Sequence, residues 1–331
     1  MAPDSPQPDP IDDSSHSGKD PRLPVSPVSS NDREMSVALR LAIYLFPVLF
    51  LYFALSFVIG AFVSIPENST VYMFMVFLQE LLLFFIVFLP ACLMARLENR
   101  AIGVYGLPLH SFLGKRFWQG CAIGAAEIMI LIGCIAAFGG YSFGPLHLRG
   151  PAMIEWASYW GLFFLVVGFF EEFAFRGYLQ FTLADGIGFW PAAWILSIGF
   201  GALHLLNTNE GLVGAAGVAT IGLIFALALR RTGNLWLVVG WHAAFDFGET
   251  FLFSVPNSGA VFEGHLSNAS LHGPTWLTGG PVGPEGSVFS FLTMAAAALF
   301  VHKAFPLRKR TEIPQEFATE QLPSRSSGPQ L

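Results

Sequence analysis

The sequence predicts an all-α fold, a polytopic membrane protein of about eight transmembrane helices. Three observations predict it. The 331 residues are 53% hydrophobic and only 12% charged, and the mean hydropathy of +0.57 is above what a water-soluble domain of this length carries. The apolar residues fall in about eight runs. Each is long enough to count as a span, which needs about 20 residues to cross a hydrocarbon core of about 30 Å at about 1.5 Å per residue. Finally, Lys and Arg alternate between the loops that join those runs.

Residues 1–35, rich in Pro, Ser and Asp, read as a disordered cytoplasmic tail rather than a signal peptide, and residues 306–331 have similar composition. Between them, 36–305 reads as one transmembrane helical domain. Its spans are expected near 37–64, 71–95, 117–139, 157–182, 189–206, 211–229, 233–254 and 286–305. Lys19, Arg22 and Arg33 precede the first span. Arg96, Arg100, Lys115 and Arg116 separate the second from the third, Arg230 and Arg231 the sixth from the seventh, and Lys303, Arg308, Lys309 and Arg310 follow the eighth. The opposite loops carry only Arg149, so both termini are expected in the cytoplasm, with the plasma (inner) membrane as location. The outer loop at 255–285, full of Gly, Pro, Ser and Asn, reads as an irregular surface segment. Asn68 and Asn268 lie in glycosylation sequons on that side.

Composition also excludes functions. The net charge of −6 comes largely from the N-terminal tail, and no basic cluster supports a nucleic-acid partner. Cys92, Cys121 and Cys134 lie in apolar runs without metal-ligand spacing. No internal duplication of the inverted-repeat transporter kind is evident.

The charges in GFFEEFAFRGYLQ, residues 168–180, directly follow an apolar run. Turn residues first cluster at Ala184, Asp185, Gly186 and Gly188, so span four is expected to run on to about Leu183, which places Glu171 roughly 18 Å inside it. His204 of span five and His242 and Asp246 of span seven fall at similar depth. Ionisable groups there are costly and mark function by default. Glu172 and Arg176 are spaced i, i+4 with the acid first, the arrangement of a structural ion pair; Glu171 points about 100° away around the helix, free of a local partner. His242 and Asp246 also share a helical face. Glu80, Glu127 and Glu249 belong to no such set and read as packing or cavity residues. Phe200, one turn before His204, reads as packing above the site.

Two histidines and two acids could bind a divalent metal such as zinc, with Glu171, His204, His242 and Asp246 as ligands, or act without metal as an acid/base site. Either chemistry supports hydrolysis. Glu171 is the natural general base, His204 its partner, and His242 with Asp246 would stabilise an oxyanion or complete a metal shell. A proton-coupled carrier or a non-catalytic membrane scaffold would also place polar groups at this depth.

EEFAFR, FGALH and HAAFD, in that order, resemble the EExxxR, FxxxH and HxxxN/D motifs of the CPBP (ABI, CAAX-type) intramembrane proteases. The resemblance covers roughly residues 117–254. It implies an endopeptidase of the type II CAAX prenyl protease kind, acting on a membrane-embedded or lipid-modified, prenylated peptide or protein, with relatives linked to bacteriocin processing. It also implies the roles. Glu171 and His204 would activate water while His242 and Asp246 stabilise the oxyanion, with no cofactor in a glutamic mechanism and a divalent metal in a metalloprotease one. Asp246 departs from the Asn of the prenyl proteases, and an ionised Asp cannot donate to an oxyanion. It would have to be protonated, orient His242, or bind metal.

Overall fold

The computed structural model describes residues 35–62 and 70–307. The expectations for both tails, including their Lys and Arg residues, and for Asn68 fall outside the described residues, apart from residues 35, 306 and 307. What is described is mostly helix, as an apolar solvent demands: with no water to bond N–H and C=O groups, the backbone must satisfy them within each segment.

Eight apolar runs give eight helical regions, but not eight equal spans. The helices are α1 Val37–Phe62, α2 Thr70–Leu97, α3 Lys115–Ala137, α4 Pro151–Arg176, α5 Tyr178–Ile187, α6 Phe189–His204, α7 Leu212–Thr232, α8 Trp236–Phe247, the short α9 Thr275–Thr278, and α10 Val288–Ala304. Five described segments are long and apolar enough to cross a membrane: α1, α2, α3, the α4–α5 unit and α7. Helices α6 and α10 are apolar but shorter, and α8 has 12 residues before it loosens into a π turn at Gly248–Leu252. The expected count of eight spans is therefore not reached on length alone.

The fourth run also departs from expectation, because its α-helix stops at Arg176 rather than near Leu183. Gly177 takes φ −83°, ψ −132°, and a Cβ there would lie 2.4 Å from the Phe173 carbonyl oxygen. Only glycine fits so close a turn, after which the chain resumes as α5. Helix α7 ends on Gly233, left-handed at φ 66° and donating its N–H to the Leu229 carbonyl.

The connections gather at two ends. At one, Leu235 N–H bonds the Gly106 carbonyl and Trp236 Nε1 bonds the Pro108 carbonyl, joining the α7–α8 turn to the α2–α3 loop. Arg40 of α1 binds Glu98 beyond α2 through Nε (2.9 Å) and Nη2 (2.8 Å) and Asp185 of α5 through Nη1 (2.9 Å) at this same end. Tyr105 and Tyr178 hydroxyls donate to Glu98 at 2.9 and 2.6 Å. Burial pushes the Glu98 carboxyl up, but the bonds from Arg40, Tyr178 and Tyr105 outweigh it and hold it below the usual carboxylate range.

At the other end, strand β1 (Tyr141–Ser142) pairs antiparallel with β2 (Ser270–Leu271), and Asn209 Nδ2 donates to the Gly259 carbonyl. The 255–285 segment is thus not simply a surface loop. Leu277, Val282 and Thr278 are buried, and Ser287 caps α10 by accepting the Phe289 N–H at 3.1 Å. Helix α1 contributes little to the interior apart from Arg40 and Tyr44; Phe46, Phe50, Phe53 and Phe57 point outward, as a face toward lipid requires.

Candidate active site

The last two turns of α4 carry Glu171, Glu172 and Arg176. Glu172 and Arg176 are fully buried, and Glu172 Oε1 lies 3.5 Å from Arg176 Nη1, the i, i+4 contact expected from spacing. The guanidinium rests 4.4 Å from the Phe200 ring centre, with Phe175 and Phe225 at 5.7 and 5.9 Å. Gly222 of α7 makes the room, since a Cβ there would come within 2.4 Å of Nη2. Aromatic faces supply the attraction that acceptors do not: Nε and Nη2 have no hydrogen-bond partner among the described residues.

Helix α8 brings His242 and Asp246 to the same place. His242 Nδ1 is 2.8 Å from Glu172 Oε1, while Nε2 faces Asp246 Oδ2 at 3.3 Å and Glu171 Oε2 at 3.6 Å. One imidazole thus meets three carboxylates. The nearer ionic neighbour of Glu172 is His242 rather than Arg176, a contact that no sequence spacing announces. Because a carboxylate only accepts, Nδ1 must donate to Glu172, which turns Nε2 toward Glu171 and Asp246. Glu171 is about one-fifth open, the side chains of His242 and Asp246 about one-tenth.

His204, at the end of α6, donates Nδ1–H to the carbonyl of Phe200 at 2.9 Å and stands edge-on to that ring at 4.7 Å. Its other nitrogen is left free to take a proton when the ring is neutral. It lies within electrostatic range of Glu171 without a direct bond to it. Phe200 thus both packs under Arg176 and orients His204. Glu80 of α2, read from sequence as a packing or cavity residue, also approaches Glu171 closely enough to feel its charge.

The placement of α8 depends on α3. A Cβ on Gly120 or Gly124 would lie 1.9 or 2.1 Å from the carbonyls of Leu237 and Trp241, and one on Gly240 would lie 2.2 Å from that of Phe117. The two backbones touch, the contact that small residues four apart permit between membrane helices. Glu127 locks the pair by accepting Trp241 Nε1–H at 2.6 Å. In the sequence, the Gly120–Gly124 spacing is the one signal of this contact.

A further acidic group adjoins Asp246. Asp246, Glu249 and Glu285 bring one oxygen each to within 4.8 Å of one another, and this is the group of potential metal ligands found among the described residues. Glu285 comes from the segment expected to be surface loop, where Gly and Pro content concealed it.

Residues 153–248 match the family model Rce1-like, described as type II CAAX prenyl endopeptidase Rce1-like. That stretch is Rce1-like. It opens within the first turn of α4, closes where the π turn begins, and contains Glu171, Glu172, Arg176, His204, His242 and Asp246. It is narrower than the 117–254 resemblance, leaving α3 outside although α3 positions α8. The Rce1-like stretch implies a peptidase with a protein substrate, working at a membrane. Searches of curated proteins and of solved structures returned no match.

Proposed function

We propose that the chain is an intramembrane endopeptidase that hydrolyses a peptide bond of a membrane-embedded or lipid-modified protein, with Glu171 as the base. The observation that carries this reading is the approach of Glu171 and Asp246 to His242 Nε2, at 3.6 and 3.3 Å, between apolar helices, inside the Rce1-like stretch. Water beside Glu171 gives up a proton to the carboxylate, assisted by the free nitrogen of His204, and its oxygen attacks the carbonyl carbon. His242, in its imidazolium form, donates Nδ1–H to Glu172 and offers Nε2–H to the developing oxyanion. Asp246 fixes the ring and balances its charge, a role that needs no proton on its own carboxyl. Collapse of the intermediate returns the proton from Glu171 to the leaving amine.

This chemistry requires no cofactor. A zinc ion on Glu171, His204, His242 and Asp246 would instead lower the pKa of the water, and the two are separated by whether cleavage-competent purified protein carries stoichiometric zinc that is lost in His204→Ala. The deciding experiment compares the proteomes of cells carrying wild-type or Glu171→Gln protein. A membrane-associated precursor should accumulate in the variant, and purified wild-type protein should cleave it. If no precursor differs, or Glu171→Gln protein cleaves it at the wild-type rate, the reading fails. Whether the substrate is prenylated is read by offering the precursor with and without its lipid. Reporter fusions at both termini test the cytoplasmic placement.

A further inference from the structure

Glu249 is an unusual residue for a protein interior. It lies in the π turn after α8, is fully buried, and neither carboxylate oxygen has a hydrogen-bond partner among the described residues. The charged groups that bear on it most are Glu285, Asp246 and Glu210, all acids. Glu210, between α6 and α7, spends one oxygen on the Gly211 N–H at 3.1 Å, and its other oxygen is buried and unpartnered. Glu285 is anchored by the Ser258 N–H and hydroxyl, each 3.0 Å from Oε2. Asp246 is 7% exposed and meets His242 on its other side.

Like charges gathered out of water repel unless something positive lies among them, and a buried carboxylate without a donor is costly. Among the described residues, no Lys or Arg is bonded to any of these acids. Ligands around one cation at about 2.0–2.6 Å stand no more than about 5 Å apart, and the Asp246, Glu249 and Glu285 oxygens lie within 4.8 Å of one another. The donors are all oxygen, which suits a hard ion of the magnesium, manganese or calcium class over zinc. Helices loosen into π turns where a side chain must be re-aimed at a functional site, and this turn aims Glu249 at the other two.

We infer that Asp246, Glu249 and Glu285 bind one hard divalent cation, with Glu210 adding charge from the outer side. The ion ties the π turn of α8 to the 255–285 segment and so holds Asp246 against His242. This site lies beyond the hydrolytic reading, because two of its three ligands fall outside the Rce1-like stretch and it assigns the ion no contact with substrate.

Full-length protein in detergent, stripped with chelator, is titrated with Mn²⁺ by electron paramagnetic resonance and with Ca²⁺ or Mg²⁺ by thermal shift. One ion per chain is expected, with a rise in melting temperature. Glu249→Gln and Glu285→Gln should each weaken Mn²⁺ binding at least about 30-fold, and without ion they should melt no lower than the stripped wild type, since a repelling charge has gone. Glu171→Gln should bind Mn²⁺ as the wild type does, which keeps this test separate from that of hydrolysis. Absence of stoichiometric binding, or wild-type affinity in both Gln variants, overturns the site. Should both Gln variants aggregate, Ser258→Ala decides: a several-fold weaker Mn²⁺ affinity supports the site, and an unchanged one overturns it.

Discussion

Arg40 on α1 sets three nitrogens against two carboxylates at 2.8–2.9 Å, whereas Arg176 on α4 has a single contact of 3.5 Å and is otherwise wrapped in phenyl rings. Both are buried. Around Arg40 every polar partner is itself engaged, so the cluster behaves as a closed fastening that joins α1, α2 and α5. Around Arg176 the acid it should saturate is shared: Glu172 gives its shorter contact to His242, and Glu172 Oε2 is left without a partner among the described residues. The comparison teaches that the polar groups around Arg40, which hold helices together, are satisfied. Those around Glu172 and Arg176 are left under-bonded, at the place where the proposed chemistry needs a carboxylate and an imidazole to act on substrate.

The largest effect separates the site from the fold. Glu171→Gln is expected to lower cleavage about 10²–10⁴-fold while the melting temperature stays within about 2 °C, because the ion-pair contact of Glu171 among the described residues is a loose one, 3.6 Å to His242. A large fall in melting temperature would mean that Glu171 is part of the fastening after all. Next, Glu172→Ala should destabilise the protein by about 3–5 kcal/mol, since it strands the Arg176 charge. Glu172→Gln combined with Arg176→Met should recover most of that stability, measured by denaturation in detergent, yet not the cleavage rate, because His242 still lacks its carboxylate. Recovery of both would reduce Glu172 to a packing residue.

A smaller effect is expected at the other cluster. Arg40→Met leaves Glu98 with its two tyrosine hydroxyls and the looser Arg100 at 3.7 Å and should cost about 1–3 kcal/mol, with cleavage per folded molecule unchanged. If cleavage fell as well, the two clusters would be coupled through α5, which follows Arg176 directly.

What could be read from sequence was what lies close in sequence. The i, i+4 pairs Glu172–Arg176 and His242–Asp246 follow from helix geometry, and the apolar runs follow from the length a bilayer demands. Arg40 and its partners were invisible because 58 residues separate Arg40 from Glu98 and 145 separate it from Asp185, and no periodicity links positions so far apart. The Glu172–His242 contact, across 70 residues, was hidden for the same reason. The break at Gly177 was missed because a lone glycine in an apolar helix is usually tolerated; only the proximity of the Phe173 carbonyl makes it a corner. Glu249 was noticed but had no partner until the loop carrying Glu285 folded over it.

The smallest expected effect is also the sharpest test of how the Arg40 cluster holds. Glu98 faces Arg40, Tyr105, Tyr178 and Arg100, with Asp185 across the shared guanidinium. Its folded carboxyl is held below the ordinary range, so its contribution is present above the unfolded value of about 4.3 and is lost as pH falls through the lower folded value. In Arg40→Met the strongest opposing bonds vanish while burial still pushes the carboxyl up, so protonation no longer costs that contact. The gap in melting temperature between wild type and Arg40→Met should therefore be widest near neutrality and should narrow below about pH 4. A gap of equal size at pH 3 and pH 7 would show that Arg40 holds α1 by packing of its stem alone, and that the contrast between the two arginines is one of shape rather than charge.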